Sequence, residues 1–236
     1  VRYWSDWDFA GAEREFRRAV ELDPENGRGW YYLSNLLSAT LGRHAEGLAA
    51  ARRAVQLDSI QWGSLSLGIR VAAGEADVVL DSLAAVVRAH PDDERTLGML
   101  CGTAYSAGRY ASALQCHRQL EARAGRPRER LPASSSSEGV MLAATGHRAE
   151  AEAILRELMS ASENDYVAPD YIAAIYAHLG DRDRAFEWLE RAYRGRSAWL
   201  VYLNTLRLWD PLRADPRFGT LLDKVGLRPP AEGGSR

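Results

Sequence analysis

The sequence predicts an all-α chain of antiparallel helix pairs stacked as a solenoid, and three observations predict it. DFAGAEREFRRAVELDP, from Asp8, and RHAEGLAAARRAVQLDS, from Arg43, lie 35 residues apart and share RRAV followed by LD. RYASALQCHRQLEA from Arg109 and DRDRAFEWLERAYR from Asp181 follow the same plan. Second, a glycine recurs with a small or β-branched residue five positions on and an apolar one seven further. The triplets are Gly42/Gly47/Ala54, Gly74/Val79/Val86, Gly108/Ala113/Leu120, Gly146/Ala151/Leu158 and Gly180/Ala185/Ala192. An incomplete copy opens the chain, with Trp7 in the glycine slot ahead of Ala12 and Ala19, and the successive spacings are 35, 32, 34, 38 and 34. Third, alternating strand patterns are almost absent. Five near-constant copies set a repeat array apart from an irregular helical bundle.

Each step of the register has a physical reason. The glycine closes one helix and opens a turn, where a left-handed residue without a Cβ is cheapest. Small residues follow because two antiparallel helices must cross closely there. After Gly180, the residues Ala185, Trp188, Leu189, Ala192 and Tyr193 recur at helical steps and form one buried stripe. Pro24 and Pro91 stop their helices, because the residue before a proline is driven out of helical geometry. The hairpin that carries Val79 and Val86 in place of small residues is expected to be slightly splayed.

A period near 34 with this plan resembles the tetratricopeptide repeat, over about residues 1–198. The resemblance implies a right-handed superhelical solenoid. Its expected divisions are a partial repeat at 1–26, repeats at 27–59, 60–93, 94–127, 132–164 and 165–198, and a capping element at 199–227. The longest spacing falls at AGRPRERLPASSSSEG from Ala124, which reads as a longer connection whose serines start the next helix. The tail 228–236 reads as disordered. Solenoids need an atypical end element. Asp215–Pro216 suits the start of a capping helix with the stripe Phe218, Leu221, Leu222 and Val225, covering Trp188 and Tyr193 of the last hairpin. Arg213 and Arg217 are expected to pair with Asp210 or Asp215 as a latch. The abrupt opening at Val1 predicts a fragment of a longer or processed protein, with Phe9, Phe16 and the cluster Tyr3, Trp4, Trp7 left uncovered.

Composition narrows the function. Of 236 residues, 46% are hydrophobic and 26% charged, with 30 basic against 32 acidic and a net charge of −2. That balance argues against a polybasic tracker of nucleic-acid phosphates or a polybasic membrane anchor. No apolar run reaches the roughly 18 residues of a membrane span, and no signal-peptide pattern opens the chain. Cys101 and Cys116 read as two reduced core thiols, in keeping with the cytoplasm. His44, His90, His117, His147 and His178 are scattered one per hairpin or turn, without zinc-ligand spacing. No phosphate loop follows GRGW at Gly27, and no serine sits in a GxSxG elbow. No catalytic residue, metal or cofactor is therefore assigned, and a non-enzymatic role is expected.

Three segments carry a narrower resemblance: WSDWDFAGAEREFRRAVELDPENG at the start, YVAPDYIAAIYAHLGDRDRAFEWLERAYRGRSAWLVYL from Tyr166, and DPLRADPRFGTLLDKVGL from Asp210. Together they resemble the C-terminal repeat modules of bacterial multidomain signalling proteins. Those proteins include winged-helix transcriptional regulators, nucleotidyl cyclases and Ser/Thr kinases. The resemblance implies a cytoplasmic interaction or sensory module. The output domain is not written in this sequence, which holds no DNA-binding helix pair, cyclase carboxylate pair or kinase HRD motif.

In a tetratricopeptide stack the first helix of each hairpin lines the concave surface. Carried onto this chain, the resemblance implies a peptide-binding groove of Arg28, Tyr31, Asn35, Gln61, Ser64, Gly68, Arg95, Gly98, Gly102, Tyr105, Asp170 and Tyr171, with Ser136, Val140 and His178 alongside. Ser64, Gly68, Gly98 and Gly102 are small; they either make room for a ligand backbone or allow tight helix packing. Tyrosines offer rigid amphipathic contacts, and Arg95 offers an anchor for an acidic group. The Lys and Asn of a chaperone carboxylate clamp are not in register. The expected partner is a protein or peptide segment, with self-association through the N-terminal aromatic cluster, or a small molecule in the groove, as alternatives.

Overall fold

The computed structural model describes residues 2–124 and 132–227; the predicted disordered tail and most of the predicted long connection lie outside them. In chain order the helices are α1 (Arg2–Ser5), α2 (Phe9–Leu22), α3 (Gly27–Ser34), α4 (His44–Leu57), α5 (Ser59–Trp62), α6 (Leu67–Ala72) and α7 (Ala76–Ala89). They continue with α8 (Glu94–Ser106), α9 (Tyr110–Ala124), α10 (Pro132–Ala144), α11 (Arg148–Ala161), α12 (Pro169–Leu179), α13 (Arg182–Arg194) and α14 (Pro216–Val225). The described residues contain no strand. The protein is all-α, built of tetratricopeptide-type helix pairs with a C-terminal capping helix.

The glycine register is visible in the backbone. Gly42, Gly74, Gly108, Gly146 and Gly180 all have positive φ, between 69° and 89°. Trp7, in the glycine slot of the incomplete copy, has φ 56°. A left-handed residue with a Cβ costs roughly 1–2 kcal/mol. Here the indole is buried, 8% exposed, and its burial outweighs that cost. Val79, Ala113, Ala151 and Ala185 are all buried, as the register requires, but Val86 is 42% exposed.

The chain divides into two compact units, and the division falls within α7. The first holds residues 1–79, 198–206 and 215–236. In it α3 runs straight on into a π-helical turn, Asn35–Thr40, closed by bonds from the Leu41 N–H to the Leu36 carbonyl and from the Arg43 N–H to the Leu37 carbonyl. Gly47 of α4 crosses this turn so closely that a Cβ would lie 2.9 Å from the Ser38 backbone nitrogen and 3.1 Å from the Ser34 carbonyl oxygen. Val20, Leu33, Leu37 and Ala50 make the core beside it. On the surface Glu13, Arg17, Arg43 and Glu46 join α2 to α4 in one ionic network. The next inner helix is not continuous. It breaks between α5 and α6 at Gly63–Ser66, where glycine and serine have poor helix propensity and no buried stripe compensates.

The segment Ala198–Leu206 and helix α14 also belong to this first unit. Phe218, Leu221, Leu222 and Val225 are buried as predicted, and a Cβ on Gly226 would lie 3.8 Å from the Phe9 ring. The latch forms in its predicted pairs, Arg213 with Asp210 at 2.8 Å and Arg217 with Asp215 at 2.8 Å.

The second unit holds residues 80–197 and 207–214, with α8/α9, α10/α11 and α12/α13 as antiparallel pairs. Helix α12 is apolar nearly all round, with Ile172, Ala173, Ala174, Ile175, Tyr176 and Ala177 buried. Cys101 of α8 and Cys116 of α9 are joined by a disulfide, which overturns the expected pair of reduced thiols. Both occupy the facing stripes of one hairpin with their Cα atoms 5.4 Å apart, within bridging range. Closing a loop of this length is worth about 3 kcal/mol.

Candidate peptide-binding surfaces

In the first unit Tyr31 lies on the inner helix α3 with its ring stacked on Trp62 at 5.3 Å, and Asn35 opens the π-helical turn that continues α3, where a segment of the same chain lies on it. Ala198–Tyr202 forms a 3-10 turn, and the strap runs on to Leu206. The Tyr202 hydroxyl donates to Asn35 Oδ1 at 3.1 Å, and the Tyr3 hydroxyl donates to the same oxygen at 3.2 Å. An amide oxygen has two lone pairs and can take both. Thr40 Oγ1 bonds the Tyr3 hydroxyl in turn. Three residues beyond Tyr202, the Thr205 hydroxyl donates to the Ala39 carbonyl, an end-of-helix acceptor left over by the π-helical turn. The Tyr202 ring packs against the cluster of Ala39, Ala51 and Ile69. Burial pushes the Tyr3 phenol well above its ordinary range and raises that of Tyr202, so both stay neutral donors.

The sequence missed Tyr202, Thr205 and Tyr3. A signal existed in AWLVYLNTL from Ala198, nine residues without a charge just past the last repeat. Of the aromatics expected to lie uncovered, Tyr3, Trp7 and Phe9 are buried, at 1%, 8% and 8% exposed, and Trp4 and Phe16 are half-buried. Tyr3 packs against Trp4, Phe9 and Phe16 in tilted and edge-on contacts. Self-association through an open aromatic patch therefore loses its basis. Arg28 and Gln61 are exposed and Ser64 half-buried. A Cβ on Gly68 would meet nothing within 4 Å.

In the second unit α8 carries Arg95, Gly98 and Gly102. Arg95 and Gly102 are exposed, and a Cβ on Gly98 or Gly102 would meet nothing within 4 Å. Of the two roles open to these glycines, tight helix packing is therefore excluded; that role falls to Gly47. Tyr105 is half-buried rather than a free anchor. Its ring meets Tyr110 edge-on at 5.8 Å, Tyr110 meets His178 at 4.9 Å, and burial pushes the Tyr105 phenol up to about 12. His178 bonds the Leu208 carbonyl through Nε2 at 3.0 Å, so the 3-10 turn Arg207–Leu212 sits on α12. Ser136 Oγ donates to the Tyr171 carbonyl at 3.1 Å, and Val140 is buried.

Asp170 is a correction. It is 4% exposed, and Ser197 Oγ donates to its Oδ1 at 2.6 Å. Burial raises its pKa. It ties the first turn of α12 to the end of its own hairpin, because an apolar helix buried on all sides has no free face for a ligand-reading carboxylate. On α9 a shallow cavity of about 500 Å³ is lined by Leu114, Gln115, Arg118, Thr145 and His147 among others. No group of three or more His, Cys, Asp or Glu is placed to hold a metal ion among the described residues.

The model of one family, the bacterial transcriptional activator domain, matches residues 8–126, just over half of the chain. The chain belongs to the bacterial transcriptional activator domain family. The match begins at Asp8, whose carboxylate caps α2 through the Gly11 N–H, and takes in α2 to α9. That family is consistent with the wider likeness read from the sequence, to repeat modules of bacterial regulators. No curated protein matches this transcriptional activator domain. Among solved structures it is similar to the crystal structure of YrrB, described as a TPR protein with an unusual peptide-binding site. That likeness has 20% identity over 89% of this chain and 97% of that one, with a TM-score of 0.38.

Proposed function

We propose that this chain is a non-catalytic protein-interaction module of a larger bacterial regulator, and that it holds an extended partner segment against its inner helices. The observation that carries this function is the strap itself. An irregular segment is held on α3 through a side-chain amide, a free helix carbonyl and an apolar pocket for one ring. Among the described residues, helix α8 offers a second inner surface, where a Cβ on Gly98 or Gly102, beside the exposed Arg95, would meet nothing within 4 Å. No helix of the described residues is long and apolar enough to cross a membrane. A transcriptional regulator works in the cytoplasm, and we place the module there, with DNA contacted by other parts of the regulator. In that compartment the Cys101–Cys116 bridge is under reducing pressure, which the burial of both residues slows.

The test is to fill the open surface without touching the core. Gly102→Trp projects a large ring from an exposed position where a Cβ would meet no atom of the described residues within 4 Å. The full regulator carrying Gly102→Trp is expected to keep its melting temperature and to lose its co-purifying partner from the host. Equal recovery of that partner would move binding off α8.

A further inference from the structure

The strap contacts combine chemistry that is unusual for a repeat-to-repeat junction. Two hydroxyl donors, three residues apart on the strap, meet two acceptors four residues apart on the inner helix. One acceptor, the Ala39 carbonyl, lies at the end of the helix, where the last carbonyls have no intrahelical partner; the helix closes there in a π-helical turn, and such turns are frequent at functional sites. Between them the Tyr202 ring has a pocket of aliphatic side chains. Leu200, Val201 and Leu203 are fully buried, while Trp199 stays 52% exposed at the strap's leading end. The whole segment is uncharged, so nothing in it needs a salt bridge to bind.

Resting on the scaffold function above, we propose that this inner face of the first unit is an exchangeable peptide site. The strap is its resident ligand, and a partner segment with tyrosine followed three positions on by threonine, in an uncharged apolar setting, displaces it. The ligand class differs from the acidic peptide that Arg95 suggested. A partner must replace the buried Leu200, Val201 and Leu203 as well as the two hydroxyls, so charged or proline-rich segments are excluded. A phosphorylated tyrosine is excluded as well, because its hydroxyl position is filled by the Asn35 oxygen and the Tyr3 ring lies beside it. Exchange proceeds through local opening of the strap, which is cheaper than global unfolding. Any change that weakens the strap in cis raises the apparent affinity in trans, because the competent fraction rises.

The experiment uses a fluorescent synthetic peptide, AWLVYLNTL with two added lysines for solubility, titrated into the full chain and followed by polarisation. Tyr202→Phe/Thr205→Val in the chain keeps the strap's shape and deletes both hydroxyl donors. It is expected to bind the peptide roughly tenfold more tightly than the wild type, as the loss of two hydrogen bonds in cis implies. The same double variant carrying Asn35→Leu as well is expected to lose that gain, because the acceptor is gone. A peptide with phenylalanine and valine in place of its tyrosine and threonine is expected to bind both chains more weakly than the original peptide, because it lacks the two hydroxyl donors. Melting curves run beside each titration separate misfolding from exchange. Two results overturn the proposal. One is no gain in the double variant that retains a cooperative melt. The other is an equal gain with or without Asn35→Leu, which would mark non-specific adhesion to exposed apolar surface. Neither result bears on α8, whose role is decided by Gly102→Trp.

Discussion

The Tyr202 hydroxyl donates to Asn35 Oδ1 at 3.1 Å across 167 positions of sequence. With the Tyr3 hydroxyl on the same oxygen, this one amide gathers the start of the chain, the first full hairpin and the strap into a single unit. Removing the acceptor should therefore cost more than removing either donor. Tyr202→Phe is expected to lower stability by about 1 kcal/mol, and Asn35→Leu by about 2–3 kcal/mol, because two phenolic hydroxyls are then left without it. Urea denaturation of both variants checks the order; equal losses would mean that Asn35 is not the hub.

Glycines at superficially similar places are expected to respond in opposite senses. Gly47→Ala sets a Cβ against the Ser38 backbone nitrogen and the Ser34 carbonyl, and neither can move aside without unwinding the π-helical turn. A loss of roughly 1–3 kcal/mol follows from overpacking. Gly102→Ala meets open space within a helix and should gain about 0.5–1 kcal/mol from propensity and chain entropy. Calorimetric melts of the two single variants test the pair.

Trp7 separates backbone geometry from side-chain burial. A glycine in its place would relieve a left-handed residue, worth roughly 1–2 kcal/mol. It would also delete a buried indole, worth about 3–5 kcal/mol. Trp7→Gly is thus expected to destabilise the first unit by about 2 kcal/mol, although it restores the repeat register. A stabilised variant would show that the indole contributes little to the core.

Stability should fall on mild acidification. Burial holds His44 and His178 below the ordinary histidine pKa. In the unfolded chain both take a proton near pH 6.5, whereas the folded protein resists until lower pH. Between those limits the unfolded state binds more protons, so stability rises with pH and is lost as pH falls below about 6.5. Asp170 acts in the opposite sense. Its raised pKa contributes stability that is full below the ordinary carboxylate range and lost as pH rises through the folded value. Denaturation midpoints between pH 5 and 7 are expected to rise, and to rise less steeply in His178→Gln.

The repeat was legible because it is written in local chemistry. Gly42, Gly74, Gly108, Gly146 and Gly180 announce positive φ by residue type alone. Even Trp7 was found by its slot, against its own preference. The latch pairs were legible for the same reason, since Asp210 and Asp215 lie two or three residues from their arginines. What was not legible is where distant segments pack. Nothing local in AWLVYLNTL tells that Tyr202 meets Asn35, or that α14 joins the unit holding Phe9. Asp170 was misplaced because repeat position suggested an exposed inner face, and only the packing of α12 shows that face to be closed. The disulfide was not legible for a similar reason: free cysteines are commonly buried, and only the packing of α8 on α9 brings Cys101 to Cys116.

A photo-crosslinking amino acid placed at Gly102, in the full regulator inside its host, tests the binding function most directly. The same label at Arg156, exposed on α11, serves as the reference. An interaction module that binds along its inner helices predicts that Gly102 crosslinks map to one continuous segment of one protein, and that Arg156 yields no such product. Crosslinks from Gly102 that are scattered, or that match those from Arg156, would contradict it.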